Sequence, residues 1–325
     1  MFSIKRGKMK KYEVISVGSG LVDAFLNAGF KEKNGIMYFP SGTKILISDI
    51  KFSVGGGGIN SAMCLSHLGL KAGFLGKIGS GYNSSIILRE LKKNNVDFLG
   101  VRAKEHTGYS IILESEKKNR TILTFKSASD DLRFSEINLK NLETKWFYFT
   151  SLGGESFETQ KKIAAFAGES GIKLAYNPSS YHTKNGAVYL RDILKNTNIL
   201  SLNKEEARML VKSGDLYRGL KKLGPEIVCV TDGEKEGGVY DGEFLYRYFP
   251  NKVKVIEATG AGDVFGSSFV TGLEKLGNIE EAIKVAICHA ENVISKSDGV
   301  GRFLSWKQIE KIIKNKKFKV KKENL

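Results

Sequence analysis

Glu257-Ala258-Thr259-Gly260-Ala261-Gly262-Asp263-Val264-Phe265 sets a lone carboxylate directly after a glycine turn that opens a helix. Residues 253–256 read as the end of a strand, and Val264, Phe265, Phe269, Val270, Leu273 and Leu276 continue at roughly helical spacing. The turn therefore falls at a helix N-terminus. There the unpaired N–H groups of Gly260, Ala261, Gly262 and Asp263 converge on an anion, and the positive end of the helix dipole adds to the attraction. Small residues let a phosphate approach. A carboxylate beside a phosphate binds it poorly but is well placed to accept a proton from an attacking hydroxyl, so the stretch suits phosphoryl transfer. In isolation the same string also describes an ordinary strand-to-helix turn with Asp as a favourable first-turn residue.

Outward from this turn the chain alternates short apolar runs with helical patterns. Tyr12–Val17 is a strand candidate ending at Gly18-Ser19-Gly20, and residues 60–68 have helical spacing after the glycine run 55–58. Buried strands are expected at 74–78, 146–149, 173–176, 199–202 and 227–231, with helices at 86–93, 159–170 and 205–211 between them. This is the signature of an α/β fold with a mostly parallel sheet covered on both faces. Two stretches, 36–54 and 108–126, break the alternation and read as antiparallel ribbon, a plausible lid over one edge of the sheet.

Several polar residues stand at the ends of these strands. Asp23, just past the first strand, suits a diol acceptor or a local turn. Val54-Gly55-Gly56-Gly57-Gly58-Ile59-Asn60 permits close backbone approach to a ligand; Asn60 is placed either to hold sugar hydroxyls or to cap a helix. Asn203-Lys204-Glu205-Glu206 offers a carboxylate that organises Mg²⁺ through water, or equally a capping box. Thr231-Asp232-Gly233 borders a nucleotide or makes a hairpin turn. The glycines at 18–20 lack the third glycine of a dinucleotide fingerprint, and Gly76-Lys77-Ile78 is not a Walker A motif. His67, His106, His182 and His289 have no metal-ligand spacing and read as structural.

Composition narrows the class. The 325 residues are 41% apolar and 26% charged, ordinary for a globular chain with a full core. The net charge of +16 is concentrated at the ends, with +5 in residues 1–11 and +6 in residues 307–325. Terminal lysine runs with no interleaved aromatic beyond Phe318 read as solvated tails, so specific nucleic-acid recognition is not expected. Cys64, Cys229 and Cys288 are widely spaced in apolar segments, which points to reduced thiols and the cytoplasm. No signal peptide or membrane span is expected, and Met9 is a candidate natural start.

Taken in order, Gly55-Gly56-x-x-x-Asn60, Asn203-x-x-Glu206, Thr231-x-Gly233 and Thr259-Gly260-Ala261-Gly262-Asp263 closely resemble the ribokinase-like (PfkB-type) carbohydrate kinase family. The resemblance runs from about 12 to 309 and takes in 120–123 and Asp131-Leu132. It implies a ribokinase-like αβα sandwich with a mostly parallel central sheet and a small β-sheet lid, often a homodimer interface. The kinase domain would span 9–310, the lid about 34–54 and 106–126, and a basic C-terminal tail 311–325. By position, the resemblance makes Asp263 the catalytic base and Gly260, Ala261 and Gly262 part of the anion hole. Asp23, Gly55, Gly56 and Asn60 would bind the acceptor. Asn203, Thr231, Gly233 and Asn292 would bind ATP, and Glu206 would order Mg²⁺ through water. The implied activity is ATP-dependent phosphorylation of a small sugar or sugar acid. A nucleoside kinase, with Tyr38, Phe39 and Tyr109 as an aromatic lid, is the alternative, followed by a non-catalytic sugar- or nucleotide-binding regulator.

Three departures qualify the resemblance. The family's usual Asp-Thr is Glu257-Ala258 here, beside a monovalent-cation site in many members, so potassium activation does not carry over. Gly57 stands where ribokinases and sugar-phosphate kinases commonly have Lys, which argues against a phosphorylated acceptor and against ribose. Ser80-Gly81 replaces a frequent Asp-Asp.

Overall fold

The computed structural model describes residues 11–117, 119–212, 214–256, 260–296 and 303–325. The chain opens with β1 (Tyr12–Val17), the long β2 (Leu21–Lys33), β3 (Ile36–Tyr38) and β4 (Asp49–Gly55). Next come α1 (Gly57–His67), β5 (Ala72–Leu75), β6 (Lys77–Ser80), α2 (Tyr82–Lys93), β7 (Val96–Phe98), β8 (Val101–His106), β9 (Gly108–Ser115) and β10 (Arg120–Phe125). Regular alternation follows, through β11 (Thr144–Thr150), α3 (Gly154–Glu169), β12 (Lys173–Asn177), α4 (Ser179–Thr183), α5 (Gly186–Leu194), β13 (Ile199–Asn203), α6 (Lys204–Leu210), α7 (Leu216–Lys221) and β14 (Ile227–Thr231). β15 (Gly237–Tyr240), β16 (Phe244–Phe249), α8 (Ala261–Leu276), α9 (Ile279–Ile294), α10 (Trp306–Asn315) and β17 (Lys319–Asn324) complete the chain.

Among the described residues the main sheet has ten strands in the order β17-β16-β15-β14-β13-β12-β11-β1-β5-β7. It is parallel from β14 to β7 and antiparallel at the other end. Its central strands are apolar on both faces because both are covered. Val14, Trp146, Tyr148 and Ala175 pack with Ile59, Phe269 and Ile283 of α1, α8 and α9. Ile15, Phe147, Phe149 and Leu174 pack on the other face with Phe157, Ile193 and Ala207 of α3, α5 and α6. Each fully buried Val, Leu, Ile or Phe among them contributes roughly 1.5–3 kcal/mol relative to leaving it in water.

A smaller sheet forms the lid: β2 pairs antiparallel with β3 and β4 and parallel with β9, which pairs with β10. The lid therefore begins at Leu21, earlier than the expected residue 34, and Asp23 lies on a lid strand instead of in a loop. Residues 39–48 lie between β3 and β4 outside strand structure, so the expected 36–54 ribbon is interrupted.

Two other expectations change. Residues 253–256 do not form a strand, because β17 already occupies the antiparallel edge beside β16. This segment instead runs against α9, with the Ile256 N–H donating to the Ile294 carbonyl at 2.8 Å. The proposed basic tail 311–325 is ordered structure: α10 continues to Asn315, and Lys319–Asn324 is the sheet's edge strand. The lysines still serve a purpose there, since charge on an exposed edge discourages pairing with another chain. Lys316 ties this end back to α9 through Glu291 at 2.6 Å, and the same buried carboxylate accepts from the Asn251 backbone at 2.6 Å. Among the described residues no helix is long and apolar enough to cross a membrane.

Candidate functional site

Val17, Thr150, Asn177, Asn203 and Thr231 are the last residues of β1, β11, β12, β13 and β14, so they line the carboxyl edge of the parallel strands. Register pairs Thr150 with Asn177 and Asn203 with Thr231. Such an edge is where open α/β sheets gather ligands.

At the lid end of this edge, α1 is driven close to the first strand's exit. Gly56, its N-cap, has φ 93°, and a Cβ there would come within 2.5 Å of the Ser19 carbonyl oxygen. That carbonyl accepts from the Gly58 and Ile59 N–H groups at 3.1 and 3.4 Å. Asn60 is not the cap; it sits in the first turn, its N–H donating to the Gly56 carbonyl at 3.0 Å. Thr150 packs against Gly57, and its buried hydroxyl has no hydrogen-bond partner among the described residues. Asp23 lies opposite Ser53 and Ser110 on the cleft side of the lid. Gly55 is pressed against this carboxylate so closely that a Cβ would collide with it. Burial raises the Asp23 pKa, and the Ser110 hydroxyl partly offsets the shift.

At the centre, α8 starts from Gly260, which adopts the left-handed conformation with φ 80°. No side chain caps its first turn, so the N–H groups of Ala261, Gly262 and Asp263 lack helical partners. Among the described residues a Cβ on Gly260 would meet nothing within 4 Å, and one on Gly262 only the Asn177 amide at 3.8 Å. That amide donates to Asp263 Oδ1 at 3.3 Å. Tyr148 and Ser267 hydroxyls donate to the Asp263 carbonyl at 3.4 and 2.6 Å, fixing the turn from below. Surrounding protein and, second, the charge of Glu206 push the Asp263 pKa up to about 7.

At the far end, Asn203 and Glu206 form a reciprocal capping box, each backbone N–H donating to the other's side chain at 2.9 Å. Burial nevertheless raises the Glu206 pKa, with the Asn203 and Ser180 N–H groups working against that shift. Lys204 bridges to Asp232 at 2.8 Å and joins this turn to the β14–β15 hairpin. There a Cβ on Gly233, at φ 60°, would meet nothing within 4 Å among the described residues. Among the described residues no group of three or more His, Cys, Asp or Glu gathers as a metal cluster. A hydrated ion that needs few protein ligands, such as Mg²⁺, fits this donor set better than a fully caged one.

The structure thus brings Asp23, Gly55, Gly56, Asn60, Asp263, Gly260 to Gly262, Asn203, Glu206, Thr231 and Gly233 to one strand edge. Asn292 is carried separately, near the end of α9. Glu257, Ala258 and Thr259 lie outside the described residues. Thr150, Asn177 and Ser110 were missed; Asn177-Pro178 directly after an apolar run was the available signal. Tyr109 belongs to the lid face opposite Asp23, since Ser110 shares Asp23's face. It lines a cavity of about 530 Å³ with Phe52, Ser53, Val54, Tyr82 and Ile86. His182 and His289 are buried and held neutral, with pKa values pushed down by burial to about 4 and about 3. The Leu304 N–H donates to His289 Nε2 at 2.9 Å, so Nδ1–H donates to Ser268 at 2.8 Å.

Residues 14–302 match the model of the pfkB family carbohydrate kinases. An uncharacterized sugar kinase of Archaeoglobus fulgidus is 30% identical over 244 residues, covering 72% of this chain and 95% of that protein. A 5-dehydro-2-deoxygluconokinase of Halalkalibacterium halodurans is 28% identical, covering 94% of this chain and 95% of its own. Arabidopsis thaliana ribokinase, solved with ribose and ATP, superposes with a TM-score of 0.80 at 19% identity, covering 93% of this chain and 99% of that one.

Proposed function

Since this chain belongs to the pfkB family of carbohydrate kinases, we propose that it transfers the γ-phosphoryl group of ATP to a hydroxyl of a small sugar or sugar acid. The observation that carries this reading is Asp263, held beside an uncapped, open helix N-terminus with its pKa raised to about 7. A base of that strength accepts a proton near neutrality. Asp23, Asn60 and the backbone at Gly55 and Gly56 hold the acceptor's hydroxyls across the cleft. Asp263 removes the proton from the attacking hydroxyl, and the N–H groups from Gly260 to Asp263 stabilise charge on the transferring group. Asn203, Thr231, Gly233 and Asn292 bind the nucleotide, while Glu206 holds Mg²⁺ through water. When bound, the ion neutralises charge on the donor's phosphate oxygens. The lid excludes water, the competing acceptor.

A coupled ADP-release assay with ATP and magnesium, run against neutral sugars, sugar acids and nucleosides, tests the reading. Acceptor-dependent ADP release that disappears on chelation is expected. Turnover on nucleosides alone replaces the sugar by a nucleoside, and silence across the panel with measurable ATP binding leaves a regulator.

We also propose that two chains pair through the lid. Ile50, Phe52, Leu123 and Phe125 share the face opposite Asp23 and are each about half exposed (47–60%), a contiguous apolar surface of the kind that marks an interface. Phe52→Asp is expected to convert a dimer to a monomer in sedimentation equilibrium, and a wild-type monomer at high concentration would refute the pairing. The three free, buried cysteines suit a reducing compartment such as the cytoplasm.

A further inference from the structure

Lys126 follows β10 and continues the alternation Arg120, Ile122, Thr124, so it lies on the lid face that carries Ser110 and Asp23. Thr124 donates to Ser110 at 3.4 Å, which places Lys126 one alternation from the Asp23 pair. Its ammonium reaches across to the body of the protein and sits 3.6 Å from the ring centroid of Tyr181, in α4. The ammonium of Lys184 approaches the same ring at 5.2 Å. Tyr181 itself follows Asn177, the partner of Asp263, by four residues, and the intervening Ser179 hydroxyl meets that of Ser151 at 2.9 Å. The two lysines therefore share one ring, in the helix that follows Asn177, and Lys126 reaches it from the lid face that carries Asp23.

Their surroundings leave charge uncompensated. Among the described residues neither ammonium forms an ion pair. The nearby Asp130 spends one oxygen on the Gly153 N–H at 2.9 Å. Burial depresses the Lys126 pKa; Asp130 opposes that shift and the like charge of Lys184 adds to it. A half-buried lysine crowded by a second one is costly unless an anion completes the cluster.

We propose that Lys126 and Lys184, both beside the Tyr181 ring, form a carboxylate subsite for the acceptor, so that the substrate is a sugar acid. The inference rests on the kinase reading above and names its substrate class. Two ammonium groups and the Asp130 carboxylate leave a single net positive charge, which matches a monoanion and not a dianionic phosphate ester. Gly57 places no cation in the acceptor's glycine run, which is consistent with that choice. Tyr181 supplies a rigid wall that keeps both cations in place through cation–π attraction.

The test measures kcat and KM with Mg·ATP for gluconate, 2-keto-3-deoxygluconate, fructose, ribose and fructose 6-phosphate, in wild type, Lys126→Met, Lys126→Arg and Lys184→Met. One of the acids is expected to be the preferred acceptor. Lys126→Met is expected to raise its KM roughly 10- to 100-fold, as loss of a charged hydrogen bond does, with kcat changed only a few fold. Lys126→Arg should keep most of the affinity, and Lys184→Met should cost less because Lys184 is more exposed. Thermal melting of each variant separates loss of affinity from loss of fold. Preference for fructose, ribose or the phosphate ester overturns the carboxylate subsite while leaving the kinase intact. A KM for the acid that is indifferent to Lys126→Met overturns it as well. Absence of ADP release with all of these acceptors and with nucleosides sinks the kinase reading itself.

Discussion

Asp263→Asn lowers kcat by roughly two to four orders of magnitude, the usual worth of a positioned general base, while acceptor and nucleotide affinity stay within a few fold. Asparagine keeps the size of the side chain and its contact with Asn177, which lies 3.3 Å from Oδ1 in the wild type, but cannot take a proton. The same residue sets the pH profile. With its pKa pushed up to about 7 by burial and then by Glu206, kcat/KM of the wild type rises with pH through about 7 and levels above it. Stability runs the other way. A carboxyl whose folded pKa exceeds its unfolded value, here 3.8, favours the folded state below the unfolded pKa and gives up that contribution as pH rises through the folded one. Asp263→Asn should therefore remove a decline in stability between about pH 4 and pH 7, as well as the rise in rate. Stopped-time assays and thermal melts across pH check both, and a variant that turns over like wild type would show that another group is the base.

What could be read in the chain before its folding depended on how local the cause was. The turn at Gly260 and the helix behind it were legible because φ > 0 at a glycine, an apolar 3.6-residue period and a first-turn carboxylate all lie within a few residues. The alternation of β11 through β14 with their helices was legible for the same reason. Asp23 was found but given the wrong setting, since whether a residue after a strand continues into a second strand depends on β4 and β9, which lie tens of residues away. Lysine-rich 311–325 looked like a tail because composition carries no record of the unpaired edge of β16 that it completes. Residues 253–256 had the apolar content of a strand and lost the edge to that competitor. Thr150, Asn177 and Lys126 owe their places to strand register and to the lid folding back over the sheet, neither of which is encoded within a window of their neighbours. The capping box at Asn203 illustrates a different limit: the structural and the metal-organising readings use the same atoms, so the local sequence pattern serves both.

Gly56→Ala is expected to destabilise the protein by about 2–5 kcal/mol, combining backbone strain with overpacking against an atom that cannot yield. At φ 93° and ψ 137° Gly56 occupies a region almost closed to residues with a Cβ. The Ser19 carbonyl that the new methyl would strike, 2.5 Å away, is also the group that satisfies the first N–H groups of α1 at 3.1 and 3.4 Å. Relieving the clash therefore costs the helix its cap and shifts its first turn, which carries Asn60, so the acceptor KM should rise together with the loss of stability. Gly260→Ala is the matching control. It too has positive φ, at 80°, but its Cβ would meet nothing within 4 Å among the described residues, leaving only the conformational cost of roughly 1–2 kcal/mol. Its effect should fall on kcat, through the anion hole, far more than on the acceptor KM. Urea unfolding and steady-state kinetics on the two variants separate these outcomes. Equal stability losses would mean that the contact with Ser19 relaxes freely, and the glycine run would then be explained by backbone conformation alone.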